Sequence, residues 1–277
     1  MKEIKDLCRR IDIPNEILEP IIDFDARFHY ELIKESMSKL FFRETWDEGR
    51  EEIKKCLGDD PGGIRMLACM LKCCLKTYDL YREWGISEET FVSTMKCFGR
   101  FVREHKEAYG DYAFDRDFWT ARQISGQLFR IGELEYELVN KNGGRYVSLH
   151  IPSDARLLSE GISQSLNRAK AFISEKFPEY GKADMVCHSW LLSPTLKKLL
   201  PEESNILKFQ SYFSIENIGS DDKEYMRWVF KRTDLPLKAL PENTLLQRKL
   251  KNYLLEGGKV TEARGKIKQI IDAPLNT

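Results

Sequence analysis

The feature that most constrains this chain is Arg130–Ile151, where residues alternate on both sides of Lys141-Asn-Gly-Gly144. Asn-Gly accepts the positive φ angles of a tight reversed turn. Flanked by alternating residues, it is the strongest short-range hairpin signal. With Asn142-Gly143 as a two-residue turn, Leu138 faces Val147, Tyr136 faces Leu149 and Leu134 faces Ile151, all on one apolar face. The other face carries Glu137 beside Ser148 and Glu135 beside His150. Beyond the hairpin, Ile162, Leu166, Ala169, Ile173 and Phe177 recur at helical spacing, and Pro178 and Gly181 stop the pattern. Asp184–Leu192 is too short and too apolar for a surface helix and fits a central strand. A hairpin, a crossover helix and a further strand parallel to the hairpin's second strand form the core of a mixed α/β layer. Ligands in such layers bind where parallel strands end.

The first 115 residues read differently. Pro14-Asn15 opens a helix, Phe24–Phe42 reads as another, and Arg50–Leu57 is short. Gly58-Asp-Asp-Pro-Gly-Gly63 is a break. Ile64, Leu67, Leu71, Cys74, Leu75 and Tyr78 then mark one helical face. A further helix has Ser87 as N-cap and Phe91, Met95, Phe98 and Val102 as its stripe. Periodicity changes near Tyr109-Gly-Asp-Tyr-Ala-Phe114, which places a boundary at 115/116 between a helical domain, 1–115, and a sheet domain, 116–277. In the second, Pro152–Leu158 reads as a loop, Ser159 as an N-cap and Pro194–Leu200 as a short helix. Asn205–Ile215 and Met226–Lys231 read as strands, Thr244–Leu255 as a helix and Lys259–Ile267 as a last strand.

Composition narrows the function classes. Lys+Arg and Asp+Glu both total 44, and no basic run exceeds two adjacent residues, which argues against nucleic acid as a partner. No segment approaches the ~20 apolar residues that span a bilayer, and Met1–Arg10 has no apolar signal core. The expected location is the cytoplasm, without a membrane partner. Cys69, Cys73 and Cys74 share a helical stretch with no nearby histidine, so buried thiols are expected there and no metal site.

Ser148-Leu-His-Ile-Pro152, Leu166-Asn-Arg-Ala-Lys-Ala-Phe172, Val186-Cys-His-Ser-Trp-Leu-Leu-Ser-Pro194 and Glu203-Ser-Asn-Ile-Leu-Lys-Phe-Gln210 carry a family resemblance. The chain resembles a family of bacterial acyltransferase-domain proteins that pair a helical amino-terminal domain with a GNAT-like carboxy-terminal domain. The resemblance implies an α+β fold of that arrangement. It also implies transfer of an acyl group from acetyl-CoA or another acyl-CoA to an amine on a small molecule or peptide. The superfamily's phosphate-binding signature, Gln/Arg-x-x-Gly-x-Gly/Ala, is missing. A noncatalytic GNAT-like binding or sensing module is therefore the alternative.

In GNAT-like folds the two central parallel strands splay, and the thioester lies in the wedge. His150 and His188 fall on those strands, and either imidazole suits a general base taking a proton from the attacking amine. The hairpin register puts Glu135 opposite His150 to orient it, and Glu137 is a second base candidate. Glu133, Glu135 and Glu137 alternate on one face, which otherwise reads as solvated. Cys187 and His188 point to opposite faces of their strand, which argues against a Cys–His pair. For the pyrophosphate, the resemblance points to the start of the crossover helix, Ser159, Glu160 and Gly161, with Ser153 and Arg156 in the loop before it.

Overall fold

The computed structural model describes residues 3–141, 143–219 and 223–268. The chain divides into two compact units, residues 1–131 and 132–277.

The first unit is built from helices α1 (Ile4–Arg10), α2 (Asn15–Arg27), α3 (Lys34–Lys39), α4 (Trp46–Leu57), α5 (Ile64–Glu83), α6 (Glu88–Tyr109) and α7 (Asp117–Ile124). It ends in strand β1 (Leu128–Ile131). Thus α7 and β1, which follow the expected boundary at 115/116, belong to this unit. The expected helix Phe24–Phe42 is broken: α2 stops at Arg27, and a 3-10 turn at Tyr30–Ile33 leads into the short α3. Phe24, Phe28 and Tyr30 pack their rings together across that break. Helix α5 is central, buried at Met66–Leu71 and again at Cys73, Cys74, Thr77 and Tyr81, a wider face than its periodicity alone suggests. Ser87 caps α6 by accepting the Thr90 N–H at 3.2 Å, and Phe91, Met95, Phe98 and Val102 are buried along its stripe. Gly99 lets α6 approach the end of α1: an added Cβ would lie 2.6 Å from the carbonyl oxygens of both Ile11 and Asp12.

The second unit contains β2 (Leu134–Lys141), β3 (Gly144–His150), α8 (Ser159–Lys176), β4 (Asp184–Ser189), α9 (Leu196–Leu199), α10 (Asn205–Ser211), β5 (Phe213–Ile218), α11 (Leu245–Leu255) and β6 (Ala263–Ile267). Its strands lie in the order β2-β3-β4-β6-β5. Among the described residues of this unit, β3 and β4 pair in parallel and the other neighbours are antiparallel. The hairpin register is that of the two-residue turn, with Glu135↔His150, Leu138↔Val147 and Lys141↔Gly144 as partners. Gly143 takes φ +77°, and Asn142 lies outside the described residues. Helix α8 covers the apolar face. The buried Tyr136 hydroxyl meets the Ser165 hydroxyl at 2.9 Å, and Ile162, Leu166, Ala169 and Ile173 are buried beneath.

Three local readings are overturned. Asn205–Ser211 is a helix, capped by Ser204 accepting the Ile206 N–H, and only Phe213–Ile218 pairs as a strand. Met226–Lys231 is not a strand, since Met226–Phe230 forms a π-helical turn that buries Val229 and Phe230. Ser159 is the first residue of α8, and Leu158 holds the N-cap position without a side-chain hydrogen bond. Strand β4 ends at Ser189, and Trp190–Leu192 turn into a 3-10 segment that buries all three side chains. Among the described residues no helix is long and apolar enough to cross a membrane.

Candidate active site

Strand alternation sorts the sheet's two faces. Leu134, Tyr136 and Leu138 on β2, and by register Val147 and Leu149 on β3, lie toward α8. Glu135, Glu137, Ser148 and His150 lie on the opposite face. Directly opposed residues of parallel strands share a face, so the Ser148↔Val186 pairing puts Val186 and His188 with them and Cys187 on the α8 side. Cys187 is buried, which pushes its thiol well above the usual range.

The β3–β4 ladder runs from Tyr146↔Asp184 to Ser148↔Val186 and stops. Both strands continue, but each pairs only with its outer neighbour: β3 with β2 as far as His150, and β4 with β6 as far as Ser189. Continued at the same offset, the register would set His150 beside His188. The two histidines therefore stand at matched positions just past the point where the central strands cease to pair.

Each imidazole is held by a carboxylate from its outer side. His150 Nε2 lies 2.8 Å from Glu137 Oε2, in a pair whose side chains are 21% and 5% exposed. His188 Nε2 lies 3.1 Å from Glu262 Oε2, with exposures of 57% and 13%. In both cases the partner is diagonal. The register partner of His150 is Glu135 and that of His188 is Arg264, while the bonded carboxylates sit two residues away. Diagonal neighbours are within reach of long side chains, and strand twist brings one of the two diagonals closer. Glu135 is thus the cross-strand neighbour that the turn predicts, whereas the carboxylate 2.8 Å from Nε2 is that of Glu137. The glutamates do not form a solvated face: Glu135 and Glu137 are 2% and 4% exposed. A mostly buried imidazole on a buried carboxylate is suited to accept a proton, because the anion stabilises the cation that forms.

The loop before α8 brings the other candidates together. Ser153, Arg156, Ser159 and Glu160 are exposed, and Gly161 is half-buried at the first turn of the helix. Leu157, buried in this loop, takes φ +56°, an uncommon backbone state for a branched side chain and one that clusters at functional sites. The loop is anchored from both sides: the Arg156 N–H donates to Glu133 Oε2 at 2.7 Å, and Asn205 donates to the Arg156 carbonyl at 3.1 Å. An added Cβ on Gly161 would lie 3.0 Å from Glu133 Cγ, so the Glu133 side chain rests on the helix N-terminus. Glu160 accepts a hydrogen bond from Gln164 at 3.2 Å.

The superfamily's phosphate-binding signature, Gln/Arg-x-x-Gly-x-Gly/Ala, is incomplete in this loop. Arg156-Leu-Leu-Ser-Glu-Gly161 keeps its first and sixth positions and departs only at the fourth, where Ser159 stands for glycine. Two carboxylates that contact these candidates are not singled out for the site by the sequence. Glu262 reaches His188 because β6 inserts beside β4, a nonlocal pairing with no local signal. Glu133 reads by alternation as part of a solvated face, and its signal is position, immediately before β2.

Comparisons with known proteins add to this geometry. The model of the GNAT-like C-terminal domain matches residues 128–267, and that of the N-acyltransferase N-terminal domain matches residues 2–126. No curated protein matches the chain. Among solved structures, an acyltransferase in complex with decanoyl-CoA and teicoplanin is 24% identical over 96% of this chain and 88% of its own, with a TM-score of 0.81. An acyltransferase mutant in complex with octanoyl-CoA is 23% identical over 97% and 88%, with a TM-score of 0.81. An acyltransferase in complex with CoA and 10C-teicoplanin is likewise 23% identical, over 98% and 88%, at 0.81. At these identities the likeness establishes the fold.

Proposed function

The chain belongs to the N-acyltransferase family that joins an N-acyltransferase N-terminal domain to a GNAT-like C-terminal domain, and from that premise we propose that it is an acyl-CoA-dependent N-acyltransferase. The observation that carries the reading is the end of the β3–β4 ladder at Ser148↔Val186, with the His150–Glu137 pair immediately beyond it. A thioester carbonyl placed there lies between strand ends whose backbone groups are not paired with each other. The amine nitrogen adds to the carbonyl carbon, forming the C–N bond and a tetrahedral intermediate. His150 takes the proton from that nitrogen, and the Glu137 carboxylate stabilises the imidazolium. Collapse breaks the C–S bond and releases the CoA thiolate, which takes up a proton. His188, held by Glu262, is the second group of this kind at the same level of the sheet.

Backbone N–H groups at Ser159–Gly161 and the Arg156 guanidinium receive the pyrophosphate, with Ser153 at the loop's start. A carboxylate already rests there, so binding requires Glu133 to release the Arg156 N–H. That contact is also the observation that favours the second reading, a noncatalytic GNAT-like sensing module. Because the solved acyltransferases of this fold hold decanoyl-CoA, octanoyl-CoA and teicoplanin, the donor we propose is a medium-chain acyl-CoA. The acceptor is an amine on a small molecule or peptide.

The test is calorimetry and thermal unfolding with acetyl-, octanoyl- and decanoyl-CoA. Ligand at a hundred times its dissociation constant should stabilise the protein by about 2.7 kcal/mol. Absence of both heat and stabilisation with every thioester would reject the reading. Binding without thiol release in the presence of primary amines would favour the sensing module.

A further inference from the structure

The connection between β5 and β6 carries a feature that the acyl-transfer chemistry does not use. A cavity of about 650 Å³ opens there, within the ~300–1,000 Å³ typical of small-molecule sites. Among the described residues its lining includes the cations Lys223, Arg227 and Lys259 and the carboxylate of Glu224, with Arg227 and Glu224 also engaged in interactions of their own. Lys223 and Lys259 are exposed, and among the described residues neither has a carboxylate partner. Part of the lining is apolar, with Met226, Leu235, Pro236 and Leu237 beside the largely buried Tyr225 and Leu254. Tyr225 and Leu254 line the cavity and belong to the same buried cluster as Trp190, Leu191 and Val260. The backbone here is unusual as well. The lining residues Met226 and Arg227 begin the π-helical turn Met226–Phe230, and Lys223 and Lys231 on either side of it take φ +61° and +58°. Single π-turns and left-handed non-glycine residues cluster at ligand sites.

We propose that this cavity is a second ligand site, one that takes an amphipathic monoanion of the fatty-acid class. The carboxylate sits among Lys223, Arg227 and Lys259, and the alkyl chain lies against Tyr225 and Leu254. A cationic rim around an apolar wall selects this chemistry over its neighbours. A neutral alcohol of equal chain length gains the wall without the rim, and an alkylammonium meets repulsion at the rim. The site does not depend on the acyltransferase reading, because occupancy requires neither CoA nor an acceptor.

Decanoate, decanol and decyltrimethylammonium are titrated by calorimetry into the full chain, without CoA. Decanoate should bind at least tenfold more tightly than either of the others. The double variant Lys223→Glu, Lys259→Glu changes two exposed side chains, so the fold is retained and its melting curve checks this. It should weaken decanoate at least tenfold while leaving the decanoyl-CoA dissociation constant within about twofold. Equal affinity for decanol and decanoate, or unchanged decanoate binding in the double variant, would overturn the proposal. So would parallel loss of decanoate and decanoyl-CoA binding, which would make the cavity part of the donor site.

Discussion

Replacing Glu137 by glutamine tests the proposed base most directly. Glutamine keeps the length and an acceptor oxygen, so the 2.8 Å contact to His150 Nε2 can persist without its charge. The pair is mostly buried, with Glu137 5% and His150 21% exposed, so solvent screens the lost charge only weakly. Hydrogen bonds to charged groups contribute about 1.5–3 kcal/mol, and this one reaches that strength when the imidazole is protonated, in the transition state. At 1.36 kcal/mol per tenfold, Glu137→Gln should lower kcat/KM by roughly 10- to 150-fold. The acyl-CoA dissociation constant should stay within about twofold, since no donor contact is removed. Thiol release from decanoyl-CoA, followed with a panel of primary amines, measures the rate. Glu135→Gln is the paired control, because Glu135 is the register partner of His150 while the 2.8 Å contact to Nε2 comes from Glu137. It should cost less than about threefold. If Glu137→Gln retained a third or more of the activity, or Glu135→Gln cost as much, the positioning argument would fail.

The loop before α8 gives a second expectation: Glu133→Gln should tighten acyl-CoA binding by about fivefold or more, because a carboxylate about 5 Å from a phosphate costs ~1 kcal/mol or more. Calorimetry reads this, and weaker binding would show that Glu133 only supports the loop. Thiol chemistry supplies a third. Cys56 is exposed while the other six cysteines are buried, so iodoacetamide should label one thiol in the native protein and all seven after denaturation. Burial pushes Cys8 and Cys73 up from the usual 9.0 to about 12, and Cys69, Cys74 and Cys187 upward too. The folded state then holds protons that the unfolded chain releases, so unfolding free energy should fall as pH rises from about 9 towards 12 and show no such contribution below 9. Urea titrations across that range check the sign. Finally, Gly99→Ala places a Cβ 2.6 Å from two backbone carbonyl oxygens and should destabilise the protein by about 1–3 kcal/mol, read as a lower urea midpoint.

Much of the fold was legible because its signals are local. The Asn-Gly turn and the two-residue period of a strand fix the hairpin register without reference to the rest of the chain. The Ser87 cap at the start of α6 works the same way. The chain order of α8 and β4 places His150 and His188 on neighbouring parallel strands through the handedness of crossovers. Tertiary structure decided the rest, through contacts between residues far apart in sequence or through geometry finer than alternation. Alternation puts Glu135 and Glu137 on one face but cannot say that they are buried, nor that the diagonal one holds the imidazole. The partner of His188 depended on β6 crossing the sheet to lie beside β4, so Glu262 had no local mark. Asn205–Ser211 reads as a strand from its apolar residues, yet it folds as a helix that buries Phe209 and uses Gln210 to donate to the carbonyls of Leu191 and Ser193. Those carbonyls lie at the end of β4, where the chain has turned out of the sheet, and a buried carbonyl without a donor is costly. Short-range geometry is written in the order of residues. Which polar groups meet across the core depends on where every strand finally lies.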